Sequence, residues 1–153
     1  MCNMVAELSN QVDLDNDPRW MSKDGSIAAL LVMLDVTHGS WAVLVKAKAG
    51  SKMPMHYHTK PLYVFTVYGH WHYPEHDWEA KIGHFLYEAP GELHTPTFVE
   101  DTLLYSLVSG PIIYPNQEDG TNLVTDVYSH VKAVRAHYNT IGLGEDELNR
   151  IIR

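Results

Sequence analysis

The sequence predicts an all-β domain, a sandwich or barrel of short strands closed by short C-terminal helices. Apolar or alternating runs follow one another from Ile27 to Tyr128, each ended by Gly, Pro or Asp turn chemistry. No helical pattern interrupts them, and only past Ser129 does the apolar spacing lengthen to three or four residues. A length of 153 residues suits one compact core.

Residues 1–24 are polar, with Asp13, Asp15 and Asp17 at alternate positions before Pro18, and read as an irregular arm that reaches the core through Trp20 and Met21. Residues 25–128 form the barrel. Its strand candidates are IAALLVMLDVT, WAVLVKAKAG, PLYVFTVYGHWHY, WEAKIGHFLYEA and HTPTFVEDTLLYSLVSGPIIYP, with a hairpin at Glu118-Asp119-Gly120 leading into TNLVTDVY. The Ala and Leu content of IAALLVML would also suit a buried helix. Residues 129–153 form a helical segment on the barrel: Val131, Val134, Tyr138 and Ile141 share one face of a helix that Ser129 can cap and Gly142 ends. A second helix opens with Glu145, Asp146 and Glu147, which suit the positive end of its dipole, and buries Leu148, Ile151 and Ile152.

Charge and cysteine content narrow the function. With 19 acidic against 11 basic residues the net charge is -8, which disfavours nucleic acid and other polyanions as partners. No apolar run approaches the roughly 18 residues that a membrane span requires, and residues 1–10 lack a secretory pattern, so a cytoplasmic protein is expected. The single cysteine, Cys2, permits neither an intrachain disulfide nor a thiolate metal site. Ten histidines, four tryptophans and nine tyrosines are the compositional excess.

Two of those histidines stand at i and i+2. In an extended chain His56 and His58 face the same way and can meet one ion inside the barrel. The best third donor is His94, delivered by the turn at Pro90-Gly91. Imidazole suits iron, zinc, copper and nickel rather than magnesium or calcium. His70 and His72 form a rival pair around Trp71 but read as barrel or surface side chains, while His84 reads as a packing or surface residue and His76 as part of a solvated hairpin.

From Gly50 to His94 the chain resembles the paired motifs of the cupins. Gly50, five residues, His56-x-His58 and then Gly69 match the first motif; Gly83, Gly91 and His94 match the second. The resemblance departs where the first motif carries a glutamate ligand, because Leu62 or Tyr63 stands there. In the second motif Phe98 replaces the usual Asn, and the Pro is displaced by one residue to Pro90. The run from Gly69 to Ala80, followed by Glu88-Ala89-Pro90-Gly91-Glu92-Leu93-His94-Thr95, is similar to the dihydroxyacetophenone dioxygenase group. That resemblance implies a jelly-roll (double-stranded β-helix) barrel, one iron(II) held by His56, His58 and His94, and oxidative carbon–carbon cleavage of an aromatic hydroxyketone.

Three neutral imidazoles leave a divalent ion its full charge and several open positions, an arrangement that favours an anionic two-oxygen chelate. The expected partners are therefore a small substrate and O2, with iron(II) favoured and zinc or nickel able to occupy the same donors. Glu88 is either a proton acceptor beside the metal or a solvent-facing acid, and Glu92 faces water. Trp41, Trp71, Tyr73 and Trp78 read most simply as core or strand-pairing aromatics, some of which can also wall a substrate pocket; Tyr63, Trp71 and Tyr73 are the candidate pocket residues, Tyr63 also a candidate fourth ligand. A zinc- or ligand-sensing cupin without turnover, and a metal-dependent isomerase or hydrolase of a small carbonyl compound, would use the same ligands. The N-terminal arm, of a kind that covers a neighbour's sheet, points to a homodimer or homotetramer.

Overall fold

The computed structural model describes residues 7–115 and 118–153; Cys2 and two residues of the Glu118 hairpin loop lie outside them. Twelve strands among these residues form three sheets. The largest runs in the order β1 (Met21–Ser22), β2 (Ile27–Asp35), β3 (Ser40–Ala47), β10 (Thr102–Ser109), β5 (Leu62–Tyr68) and β8 (Phe85–Glu88), all antiparallel. A second joins β12 (Asn122–Thr125), β11 (Ile112–Pro115) and β4 (Tyr57–His58), and a third joins β7 (Glu79–Lys81), β6 (His70–His72) and β9 (Thr97–Phe98). The strands stack as jelly-roll sheets rather than as one closed ring of hydrogen bonds.

The IAALLVML run is strand, not helix, because β3 pairs with it along its length and its apolar residues meet cover on both faces. One face sends Leu31 and Leu34 into the main core with Trp41, Val64, Trp71, Phe98 and Leu104; the other sends Leu30 and Val32 under the N-terminal arm, against Val12 and Trp20. The single apolar stretch PLYVFTVYGHWHY divides at Gly69 into β5 and β6. Gly69 has φ +96°, and a Cβ there would lie 2.5 Å from the Asp101 carbonyl oxygen and from Thr102 Cα. The turn therefore needs glycine twice over, for its backbone angle and for its clearance.

Helix α1 (Val127–Ile141) begins three residues earlier than an N-cap at Ser129 would place it. Asp126 is the N-cap: its carboxylate accepts from the Ser129 backbone N–H, and the Ser129 hydroxyl lies 3.3 Å from the Asp126 N–H to complete a capping box. Gly142 ends the helix in the left-handed region, and α2 (Gly144–Ile151) follows with its acidic first turn. Val127, Val134, Tyr138, Leu148 and Ile151 join the barrel core, and the Arg153 N–H donates to the Leu34 carbonyl at 2.8 Å, fastening the C-terminus along β2. No helix among the described residues is long and apolar enough to cross a membrane.

Two stability predictions follow from these contacts. Gly69→Ala should lower the urea-unfolding free energy by more than Gly83→Ala, whose added Cβ meets nothing and costs only the positive-φ strain of about 1–3 kcal/mol; equal losses would mean that the Thr102 contact is slack. His130 packs its ring 4.6 Å from that of Trp41, and burial pushes its pKa down to about 4 from 6.5. The unfolded chain binds that proton first, so His130 favours folding above pH 6.5 and loses the contribution as pH falls toward 4. His130→Asn should remove about 1–2 kcal/mol from the stability difference between pH 7 and pH 5, measured by denaturant titration.

Candidate metal centre

Backbone pairing brings the three histidines together. His56 precedes β4 and His58 ends it, on the same face of an extended segment. His94 arrives from the loop after β8 and meets His56 across an antiparallel bridge, the His56 N–H donating to the His94 carbonyl at 3.1 Å and the His94 N–H to the His56 carbonyl at 3.0 Å. The Gly91 N–H donates to the His58 carbonyl at 2.8 Å, so the turn carrying His94 is tied to both ends of the His-x-His segment.

The side chains follow. His56, His58 and His94 are 5%, 3% and 0% exposed, and one nitrogen from each lies within 4.8 Å of the others. The His58 and His94 rings are nearly parallel with centroids 5.5 Å apart, and His56 stands edge-on to both. Burial lowers the pKa of all three, to about 3 for His58 and about 4 for His94, with the neighbouring imidazoles adding to the effect. They are neutral at pH 7, the form that binds metal.

Tautomers test the fit of an ion. His56 Nδ1 lies 2.7 Å from the Pro54 carbonyl oxygen and His94 Nδ1 lies 3.0 Å from that of Glu92, so each ring satisfies its carbonyl by carrying its proton on Nδ1. Both Nε2 atoms are then bare lone pairs, and they face each other at 3.1 Å. Two lone pairs at that distance repel unless a cation lies between them, and burial opposes a proton there. Nitrogens each about 2.1 Å from one ion are about 3.0 Å apart at a right angle and about 3.4 Å apart at the tetrahedral angle, so the spacing fits two adjacent ligands of an octahedral ion. The donor set therefore fits a divalent metal.

Glu88 closes the inner side of the cluster. It is 4% exposed, its Oε2 accepts from the Tyr73 hydroxyl at 2.7 Å, and its buried Oε1 has no hydrogen-bond partner. That free oxygen lies 3.3 Å from His94 Nδ1 and 3.8 Å from His58 Nε2; with neutral rings these approaches are not ion pairs. Burial raises the Glu88 pKa to about 7, the Tyr73 hydrogen bond opposing the shift. Leu62, at the position where cupins carry a glutamate, is the cross-strand register partner of Glu88, so an acid reaches the same region from the neighbouring strand.

The other candidates separate by strand parity. Leu62, Val64 and Thr66 point inward along β5, which turns Tyr63 outward to lie 39% exposed against Tyr87 and Phe85; Tyr63 neither lines the histidine cluster nor stands as a fourth ligand. Trp71 is core: its indole N–H donates to Thr66 Oγ1 at 2.9 Å and its ring packs on Tyr73, Trp78 and Phe98, one layer behind the histidines. Tyr73 does reach the cluster, stacked on His94 with centroids 4.3 Å apart. His70 lies 3.0 Å from Glu79, His76 lies 3.2 Å from the half-exposed Glu92, and His84 stacks on Trp78, all apart from the cluster. Tyr114 is the site residue that pattern reading passed over: β11 pairs with β4 and sets its ring 5.2 Å from His56.

Residues 11–113 match the family model of the ChrR cupin-like domain. The chain belongs to this cupin family. An RmlC-like cupin protein from Ralstonia eutropha JMP134 superposes on this cupin with a TM-score of 0.77 at 29% identity, over 89% of this chain and 91% of that one. An acetylacetone dioxygenase from Acinetobacter johnsonii gives 0.76 at 20% identity, over 90% and 98% of the two chains. A structure of Rhodobacter sphaeroides SigE in complex with the anti-sigma ChrR gives 0.55 at 17% identity, over 63% of this cupin and 52% of that chain. The last two likenesses carry the fold alone. No curated protein matches the chain in sequence.

Titration of the metal-stripped protein with cobalt(II), followed by its visible absorption, should reach one equivalent per chain. His94→Ala should lose that binding while its far-ultraviolet circular dichroism keeps the β signature, and His70→Ala should bind as the parent does. Undiminished binding by His94→Ala would remove the site.

Proposed function

We propose that this cupin is a mononuclear non-haem iron(II)-dependent dioxygenase that cleaves a carbon–carbon bond in a small aromatic hydroxyketone or diketone. The observation that carries the reading is the donor set, three buried neutral imidazoles with no carboxylate among them. An ion bound there keeps its full double charge and open positions, and supplies Lewis acidity and electron exchange with oxygen. In the net reaction one carbon–carbon bond breaks and each of its carbons gains one atom of O2.

The chain's residues prepare that reaction. A hydroxyketone or diketone becomes a two-oxygen anion by losing one proton, and the free Glu88 Oε1, buried beside His94 and His58, is placed to take it. The Tyr73 hydroxyl holds Oε2 and stops the carboxylate from rotating away, while the rings of Tyr73 and Tyr114 supply aromatic walls beside His94 and His56. The solved acetylacetone dioxygenase shares the fold, and acetylacetone is a small diketone, which supports the same substrate class here.

A second reading, a metal-sensing module without turnover, draws on the match to the ChrR cupin-like family and on the solved ChrR complex. Oxygen consumption separates the two. After anaerobic iron(II) reconstitution, the protein should consume O2 with at least one member of a panel of aromatic hydroxyketones and diketones; a fully iron-loaded protein silent across that panel contradicts the dioxygenase reading. Glu88→Gln should keep its iron and lose about 10²–10⁴-fold in rate, the range for a positioned general base.

A further inference from the structure

His94 is 0% exposed, yet the chain that carries it runs along the surface. After β8 ends at Glu88, residues 89–93 are all exposed, and His94 meets His56 in an isolated bridge before β9 begins at Thr97. A metal ligand must be held to within about 0.5 Å, and a surface loop does not hold its own side chains so closely. The support comes from a neighbouring turn.

That turn, residues 73–78, joins β6 to β7 and grips the loop at three points. The Tyr73 ring stacks on the His94 ring with centroids 4.3 Å apart. Glu75 Oε2 accepts from the Thr95 N–H at 3.1 Å, the first backbone N–H after the His94 bridge. His76 Nε2 lies 3.2 Å from Glu92 Oε1, and it is the Glu92 carbonyl that faces Nδ1 of His94. Residues 92, 94 and 95 are thus each tied to the turn, on both sides of the ligand and at the ligand itself. The turn is in its own right anchored to the core. Tyr73 is 3% exposed, the His76 N–H donates to its carbonyl at 3.0 Å, and the Trp78 ring lies 4.9 Å from that of Tyr73 and 5.4 Å from that of Trp71.

Folding needs little from these contacts. The His76 and Glu92 side chains are 26% and 50% exposed, and exposed pairs of this kind contribute little to stability. The His70–Glu79 pair, 3.0 Å apart on the strands of the same hairpin, has the same chemistry without reaching the His94 loop. What distinguishes Glu75 and His76 is where their partners stand, within two residues of a buried imidazole. On the three-histidine centre described above, and independently of its reaction, we propose that Glu75 and His76 are positioning residues for His94: the β6–β7 turn is a clasp that fixes residues 92–95 and sets how tightly the ion is held. Glu75 would also attract a cation by charge alone, so the test must separate the hydrogen bond from the charge.

Cobalt(II) titrations of the full chain in competition with a chelating dye do so. Glu75→Ala should raise the cobalt dissociation constant roughly 10-fold, the low end of the range for groups that orient a metal ligand, with its urea midpoint close to the parent's. Glu75→Gln loses the charge but keeps an oxygen for the Thr95 N–H, and should bind as the parent does. His76→Ala should weaken binding, and Glu79→Ala, which removes an acid from the same hairpin, should leave it unchanged. In the metal-free protein, hydrogen exchange should find the Thr95 amide less protected in Glu75→Ala than in the parent. A parent that binds no cobalt overturns the centre and the clasp together. A parent with one cobalt per chain, matched in affinity and in Thr95 exchange by Glu75→Ala, overturns the clasp alone. So does a loss of affinity that Glu75→Gln shares in full, which assigns the effect to charge.

Discussion

The pair of backbone hydrogen bonds joining His56 to His94 is the constraint on which the centre depends. It sets two residues 38 positions apart directly opposite each other and leaves their Nε2 atoms 3.1 Å apart. Each ring is then locked from behind, by the Pro54 carbonyl for His56 and the Glu92 carbonyl for His94, so neither can turn its proton toward the other. A protein that holds two facing lone pairs on buried side chains is pre-organised for a cation, because the cost of bringing the donors together is met by folding.

Around this cluster the barrel departs from the usual cupin ligand set in an instructive way. With Leu62 in place of the motif glutamate, the inward position on β5 is apolar, and among the described residues the buried acid beside the histidines comes from β8. Glu88 cannot swing freely because Tyr73 holds one oxygen, and Tyr73 is itself pressed between His94 and the Trp71 and Trp78 rings. The aromatic residues that look like substrate walls in the sequence therefore divide into two jobs: Tyr73 faces the site, and Trp71 sets the position of Tyr73 from behind.

The three histidines were legible because their information is local: an i, i+2 pair and a Pro-Gly turn before the third. What depended on parity or on long-range pairing was not. Tyr63 and Leu62 are adjacent, and a one-residue choice of phase decides which of them faces the metal; the motif allowed either and the ladder chose Leu62. The burial of Glu88 follows from the sheet around it, not from its neighbours in sequence, and Tyr114 enters the site only because β11 pairs with β4 across 54 residues, Ile112 with His58. The three-residue shift at the start of α1 has a local cause, since Asp126 and Ser129 both have capping side chains and the capping box uses both.

X-ray absorption at the iron edge of the anaerobically reconstituted protein tests the centre most directly. The account predicts a single iron per chain whose extended fine structure shows three imidazole rings bound through nitrogen at about 2.1 Å, with oxygen ligands completing the shell, and loss of one imidazole in a His58→Ala protein. Fewer than three imidazoles in the parent, or a spectrum unchanged by that substitution, would contradict it.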